Sequence, residues 1–154
     1  MLKAMTSRRV RSRGGRFALI ASRYNARFTD ALVKSARAVL RAAGAEIQVV
    51  RVPGAFEIPV VAARLARTAV PPFDAVVCLG VVIRGETAHA DLIGRAVTDA
   101  LARIQLEYEI PVIHEVLLLD NEAQARARCL GKLNRGREAA ETALEMVAVM
   151  RGLL

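Results

Sequence analysis

Two kinds of stretch alternate along this chain: short continuous apolar runs, and longer runs in which apolar residues return every three or four positions. RFALIAS (Arg16–Ser22), Ile47–Val52, AVVCLGVVI (Ala75–Ile83) and PVIHEVLLL (Pro111–Leu119) are of the first kind. They read as strands, the third as one buried on both faces of a parallel sheet. Leu32, Val33, Ala36, Val39, Leu40 and Ala43 recur at helical spacing behind a candidate cap at Thr29 or Asp30, and Gly44 supplies the stop. A helix rich in Ala, Arg and Leu follows the Pro53-Gly54 break and runs to about Thr68, where Val70-Pro71-Pro72 forms the next connection. Leu92, Ile93, Ala96, Val97, Ala100, Leu101 and Ile104 mark a long helix ending near Tyr108, and a short helix spans Glu122 to Cys129. After a GKLNRG turn a last helix carries Ala140, Leu144, Val147 and Val149.

Strands and helices in strict alternation predict an α/β domain with a mostly parallel sheet and right-handed crossovers. In such sheets ligands collect beyond the carboxyl ends of the strands. The residues that fit neither pattern fall there: Tyr24 and Asn25 after the first strand, GAFE after the second and RGETAH after the third.

Composition narrows the class. At 154 residues with 54% apolar and 25% charged positions, the chain suits one globular domain over residues 16–154. No apolar run approaches the roughly 20 residues needed to span a bilayer. The basic start is not followed by the apolar core of about 7–15 residues that a secretory signal requires, so the expected location is the cytoplasm. Cys78 and Cys129 read as ordinary thiols, Cys78 within the core. Residues 1–16 carry six of the eight net positive charges, which makes the basic bias a property of a disordered arm over residues 1–15 rather than of the body. Without interleaved aromatics or a reading helix, that arm does not predict specific nucleic-acid binding.

The chemistry concentrates after the third strand. Gly85-Glu86-Thr87 leads into a helix N-terminus, where free N–H groups and the helix dipole favour a phosphate; plain helix capping is the simpler alternative. No GxGxxG and no Walker lysine-serine pair is present. His89, in the first turn of that helix, is expected neutral and able to exchange protons near pH 7. His114, within the fourth strand, reads as a satisfied core or interface histidine. The two histidines have no cysteine or carboxylate cluster at ligand spacing, so no metal site is expected. Arg126, Arg128 and Lys132 form a basic stretch; Arg128 would serve as a bidentate phosphate ligand if the fold brought it to Thr87. Glu57 either orients polyol hydroxyls or simply matches the dipole of the helix it begins.

SRYN, VPGAFEIPVVA, LGVVIRGETAH, PVIHEVLL and QARARCLGK stand in the order and spacing of lumazine synthases, and over residues 16–152 the chain resembles that family. The resemblance implies a three-layer α/β/α sandwich around a four-stranded parallel sheet, flavodoxin-like in topology. It implies a transferase of riboflavin biosynthesis that condenses 5-amino-6-ribitylaminouracil with 3,4-dihydroxy-2-butanone 4-phosphate. The products are 6,7-dimethyl-8-ribityllumazine, phosphate and water, with neither metal nor organic cofactor. Matched motif by motif, Tyr24 would stack on the pyrimidine, and Ala55, Phe56 and Glu57 would hold the ribityl chain. Val81, Val82 and Ile83 would line the pyrimidine pocket. Glu86 and Thr87 would seat the phosphate through their backbone, with Arg128 pairing with it. His89 would move protons, and Asn25 and Lys132 would support the site from behind. The family assembles as pentamers, in many members as icosahedral shells, with each active site between neighbouring subunits; riboflavin synthase is the candidate partner of such a shell.

This sequence departs from the common family pattern in three places. Position 24 is Tyr where Phe or Trp is frequent. His114 replaces an apolar residue in the wall given to the neighbouring site. The connection from Lys132 to Gly136 is slightly shorter than in some shell-forming members, which leaves pentamer and icosahedral shell both open. Three rivals stand beside the enzyme reading: a non-catalytic shell or scaffold protein of the same fold, a flavodoxin-like binder of another small molecule, and a nucleic-acid binder working through its basic arm.

Overall fold

A computed structural model describes residues 13–154, and its four apolar runs form one parallel sheet. The elements are β1 (Arg16–Ser22), α1 (Ala26–Ala42), β2 (Glu46–Val52), a 3-10 turn (Ala55–Glu57), α2 (Ile58–Thr68), β3 (Ala75–Ile83), α3 (His89–Tyr108), β4 (Val112–Leu119), α4 (Glu122–Cys129) and α5 (Arg135–Arg151). The strand order is β2-β1-β3-β4. β1 therefore pairs with both β2 and β3, and the chain reverses its direction of winding between β1 and β3. This is the flavodoxin-like order, whose ligand crevice lies at that reversal.

Side chains alternate across each strand, so the sheet feeds two cores. Phe17, Leu19, Ala21, Ala75, Val77, Leu79 and Val81 face α1, α4 and α5. Ala18, Ile20, Val76 and Cys78 face α2 and α3. Right-handed crossovers impose this division: the connection to β2 moves one way along the sheet, the later ones the other, and their helices land on opposite faces. The result is the three-layer α/β/α sandwich. Cys78 is fully buried, and burial pushes its thiol up to about 12.

The α1/α4/α5 face is closed at one point of close backbone approach. A Cβ on Gly136 would stand 2.2 Å from the Leu32 carbonyl oxygen, so only glycine lets α5 lie this close to α1. Asn134 caps α5 beside it: its Oδ1 accepts from the Gly136 N–H (2.7 Å), and its Nδ2 donates to the carbonyls of Ala31 (3.2 Å) and Cys129. A buried amide is thereby fully used in joining α1, α4 and α5.

The start of α1 differs from expectation. It begins at Ala26, ahead of the positions proposed as caps, with Asn25 in a left-handed conformation (φ 58°) and its carbonyl accepting from Phe28 and Thr29. Thr29 is buried within the helix, not at its mouth. The stop is as expected: Gly44 (φ 75°) donates to Arg41 O and Ala45 to Leu40 O, a Schellman closure. The basic stretch expected as an arm lies, up to residue 12, outside the described residues; Gly14 donates to Ala43 O at 2.7 Å. Among the described residues, no helix is long and apolar enough to cross a membrane, and no group of His, Cys, Asp and Glu could hold a metal ion.

Candidate active site

The carboxyl ends of β1, β2 and β3 open onto a cavity of about 970 Å³ on the α2/α3 side. Three turns build its mouth. After β1, Arg23 and Tyr24 donate their N–H groups to Val52 O (2.7 Å) and Pro53 O (3.0 Å), so the first turn is stitched to the second. Asn25 then reaches across to β3, its Nδ2 donating to Val81 O at 2.8 Å. That bond uses the carbonyl of a residue in the cavity wall, and it ties the left-handed turn that carries Tyr24 to the strand opposite.

The second turn is the 3-10 segment. Pro53 and Gly54 break β2, and Glu57 folds back so that its Oε2 accepts from the Gly54 N–H at 3.1 Å. With the Glu57 N–H donating to Gly54 O at 3.3 Å, this holds Ala55, Phe56 and Glu57 as a single tight turn at the cavity edge. Glu57 stands at the N-cap position of α2 and is among the residues that line the cavity.

The third turn follows β3. Gly85, Thr87 and His89 line the cavity, while Glu86, between them, does not. The Thr87 hydroxyl accepts from the His89 N–H at 3.3 Å, closing the start of α3. Thr87 and His89, joined by this contact, both line the cavity at the start of α3.

Most sequence-predicted residues converge here: Tyr24, Ala55, Phe56, Glu57, Val81, Val82, Ile83, Thr87 and His89 share one cavity. His114, Arg128 and Lys132 do not line it. His114 lies on β4, where its Nδ1 accepts from the Val116 N–H (3.1 Å) and its Nε2 stands 2.7 Å from Thr98 Oγ1. In the neutral ring the proton therefore sits on Nε2 and is donated to Thr98; burial lowers the pKa, which favours this neutral form. Arg128 is exposed on α4 and has no ion-pair partner among the described residues, whereas its neighbour Arg126 meets Glu122 at 3.8 Å.

Residues the sequence did not single out also form the wall. Leu92, Ile93 and Ala96 look like core positions of α3, yet they line the cavity, and Leu92 is 64% exposed. Their spacing is that of core residues, so the sequence carries no signal that sets them apart. Tyr24 (75% exposed) and Phe56 (62%) complete an apolar rim uncovered in the single chain.

Comparison with known proteins agrees with this arrangement. The sequence model of the family described as 6,7-dimethyl-8-ribityllumazine synthase matches residues 14–151. A 6,7-dimethyl-8-ribityllumazine synthase of Stenotrophomonas maltophilia is 46% identical over 142 residues, covering 90% of each chain. One of Kineococcus radiotolerans is 47% identical over 144 residues, covering 91% of this chain and 88% of that one. One of Salinibacter ruber is 45% identical over 141 residues, covering 89% of each. A match of this extent, over a sheet of this order and a cavity built from these turns, places the chain in the 6,7-dimethyl-8-ribityllumazine synthase family.

Proposed function

We propose that the chain condenses 5-amino-6-ribitylaminouracil with 3,4-dihydroxy-2-butanone 4-phosphate to 6,7-dimethyl-8-ribityllumazine, phosphate and water, a step of riboflavin biosynthesis carried out in the cytoplasm. The observation that carries the reading is the cavity in which Tyr24, the Ala55–Glu57 turn, the end of β3, Thr87 and His89 meet. Its wall is largely apolar with a few convergent polar groups, as a site for a planar heterocycle with a polyol tail requires.

In this reading the pyrimidine lies along Val81–Ile83 and stacks on Tyr24, and the ribityl chain follows the 55–57 turn with Glu57 accepting from its hydroxyls. The butanone phosphate sits on the N–H groups of Gly85–Thr87 at the start of α3, where the helix dipole stabilises the departing phosphate. His89 carries protons for imine formation and ring closure. Much of the acceleration comes from holding two small substrates in register, because the condensation also proceeds unaided.

Arg128, His114 and Lys132 enter the site from a neighbouring subunit. Two features support this: none of the three lines the cavity of its own chain, and the apolar rim at Tyr24, Phe56 and Leu92 is open. A homo-oligomer would cover that rim and bring an unpaired arginine to the phosphate. Assembly of pentamers into a shell that encloses riboflavin synthase is the extension of the same arrangement.

The test is lumazine absorbance on mixing both substrates with the purified protein, measured against the uncatalysed condensation. A clear acceleration, abolished by filling the cavity through Ala55→Trp, is expected. A rate equal to the uncatalysed one would leave the scaffold reading in its place.

A further inference from the structure

We propose that Arg84 is the positioning residue of the phosphate loop, a clamp that ties down both ends of the loop and cancels the carboxylates beside it. This rests on the reading of Gly85–Thr87 as the phosphate seat. Arg84 directly follows β3, and its N–H donates to Leu119 O at 2.8 Å, extending the β3/β4 pairing by one step. Its guanidinium then meets two carboxylates: Nη1 lies 2.5 Å from Asp91 Oδ1, and Nε lies 2.9 Å from Asp120 Oδ1. Asp91 stands in the first turn of α3, where the loop ends. Asp120 stands between β4 and α4 and is itself held, its N–H donating to Gln124 Oε1 at 2.8 Å.

The loop needs such a clamp because packing does not hold it. Nothing lies within 4 Å of where a Cβ on Gly85 would be, so the turn is free on that side. A seat made of backbone N–H groups works only while those groups converge, and their direction depends on where the two ends of the loop are fixed. Arg84 fixes the departing end through the sheet and the returning end through Asp91. The link to Asp120 anchors the same cation to the start of α4, the helix that carries Arg128.

Charge gives the second reason. Asp91, Asp120 and Glu86 surround the loop, and without a cation they would oppose an incoming phosphate. With Nη1 on Asp91 and Nε on Asp120, Arg84 neutralises these two carboxylates, and its part is to position the loop, in contrast to Arg128 as the phosphate ligand. A lysine would replace it only in part, since its single nitrogen cannot occupy the two separate positions that Nη1 and Nε hold.

The experiment measures lumazine formation by the full-length enzyme with each substrate varied, for wild type, Arg84→Ala, Arg84→Lys and Arg128→Ala, alongside inorganic phosphate as a competitive inhibitor and thermal unfolding. Arg84→Ala should raise the KM for the butanone phosphate and the Ki for inorganic phosphate in parallel, roughly fivefold to tenfold, while the KM for the pyrimidine stays within about twofold. Arg84→Lys should recover less than half of that loss. If Arg128→Ala weakens phosphate binding and Arg84→Ala does not, the clamp is wrong and the seat stands. If neither variant moves the KM for the butanone phosphate, the seat is wrong and the clamp falls with it. Equal rises in both KM values with lowered unfolding temperature in both Arg84 variants would make Arg84 merely structural and overturn the proposal.

Discussion

The two helical faces of the sheet are built from the same alternating strands and end differently. On the α1/α4/α5 face, side chains from all three helices close over β1 and β3, Gly136 admits a backbone contact, and the buried Asn134 amide spends its hydrogen bonds on three partners. On the α2/α3 face a second buried core lies beneath α2 and α3. At the carboxyl ends of the strands this face opens into a cavity whose aromatic and aliphatic rim is left bare. One face is closed within the chain; the other is left open, and in the proposed reading it is finished by what binds to it. Stability and function are thereby separated in space, and variants on the two faces should fail in different ways.

The largest expected effect is on the closed face. Gly136→Ala should cost about 2–3 kcal/mol, because the new methyl meets the Leu32 carbonyl and α5 must shift. Denaturant unfolding reads the loss, and the KM values of the remaining folded enzyme should stay close to wild type. On the open face the pattern should invert. Arg128→Ala should raise the KM for the butanone phosphate roughly tenfold to a hundredfold, the scale of a charge-assisted bond to phosphate, with unfolding unchanged. Tyr24→Ala should raise the KM for the pyrimidine about tenfold through lost stacking. His89→Ala should lower kcat only severalfold, since proximity survives; this is read from turnover at saturating concentrations of both substrates.

The smallest effect sharpens the comparison from the closed side. Glu115 faces α4 and α5 from β4, and burial pushes its carboxyl up to about 7, with Arg135 pulling it down and Glu138 pushing it up. Cys129 is the further titratable group beside it. A folded-state pKa above the unfolded one means the folded protein holds this proton more tightly. Glu115 therefore favours folding at low pH, and that contribution is lost as pH rises from the ordinary glutamate range through about 7. Glu115→Gln should flatten the decline in unfolding free energy over that window.

The strands and most helices were legible because each carries one clear periodicity; β1 and the short helix α4 fall on the residues the sequence indicates. The start of α1 was not, because a left-handed Asn25 is set by its bond to Val81, 56 positions away. Nine of the residues singled out from the sequence meet in one cavity because they sit at or just beyond strand ends, where the α/β rule gathers ligand-binding groups. The wall from α3 was hidden, since Leu92 and Ile93 obey the same spacing as true core residues. Arg84 was passed over because its meaning lies in two carboxylates, one seven residues on and one beyond the next strand. His114 and Arg128 are legible as motif residues, but no pattern along the chain tells that they stand outside the cavity of their own chain.

The contrast between a face complete in one chain and a face completed by a second is tested most directly by subunit complementation. Tyr24→Ala and Arg128→Ala chains are co-expressed, co-purified as mixed assemblies, and assayed for lumazine formation at low substrate concentrations. If Tyr24 comes from one chain and Arg128 from its neighbour, random mixing in a ring leaves about a quarter of the sites with both residues intact, and activity should recover to about that fraction of wild type. Activity no higher than the mean of the two single variants would contradict a site shared between subunits.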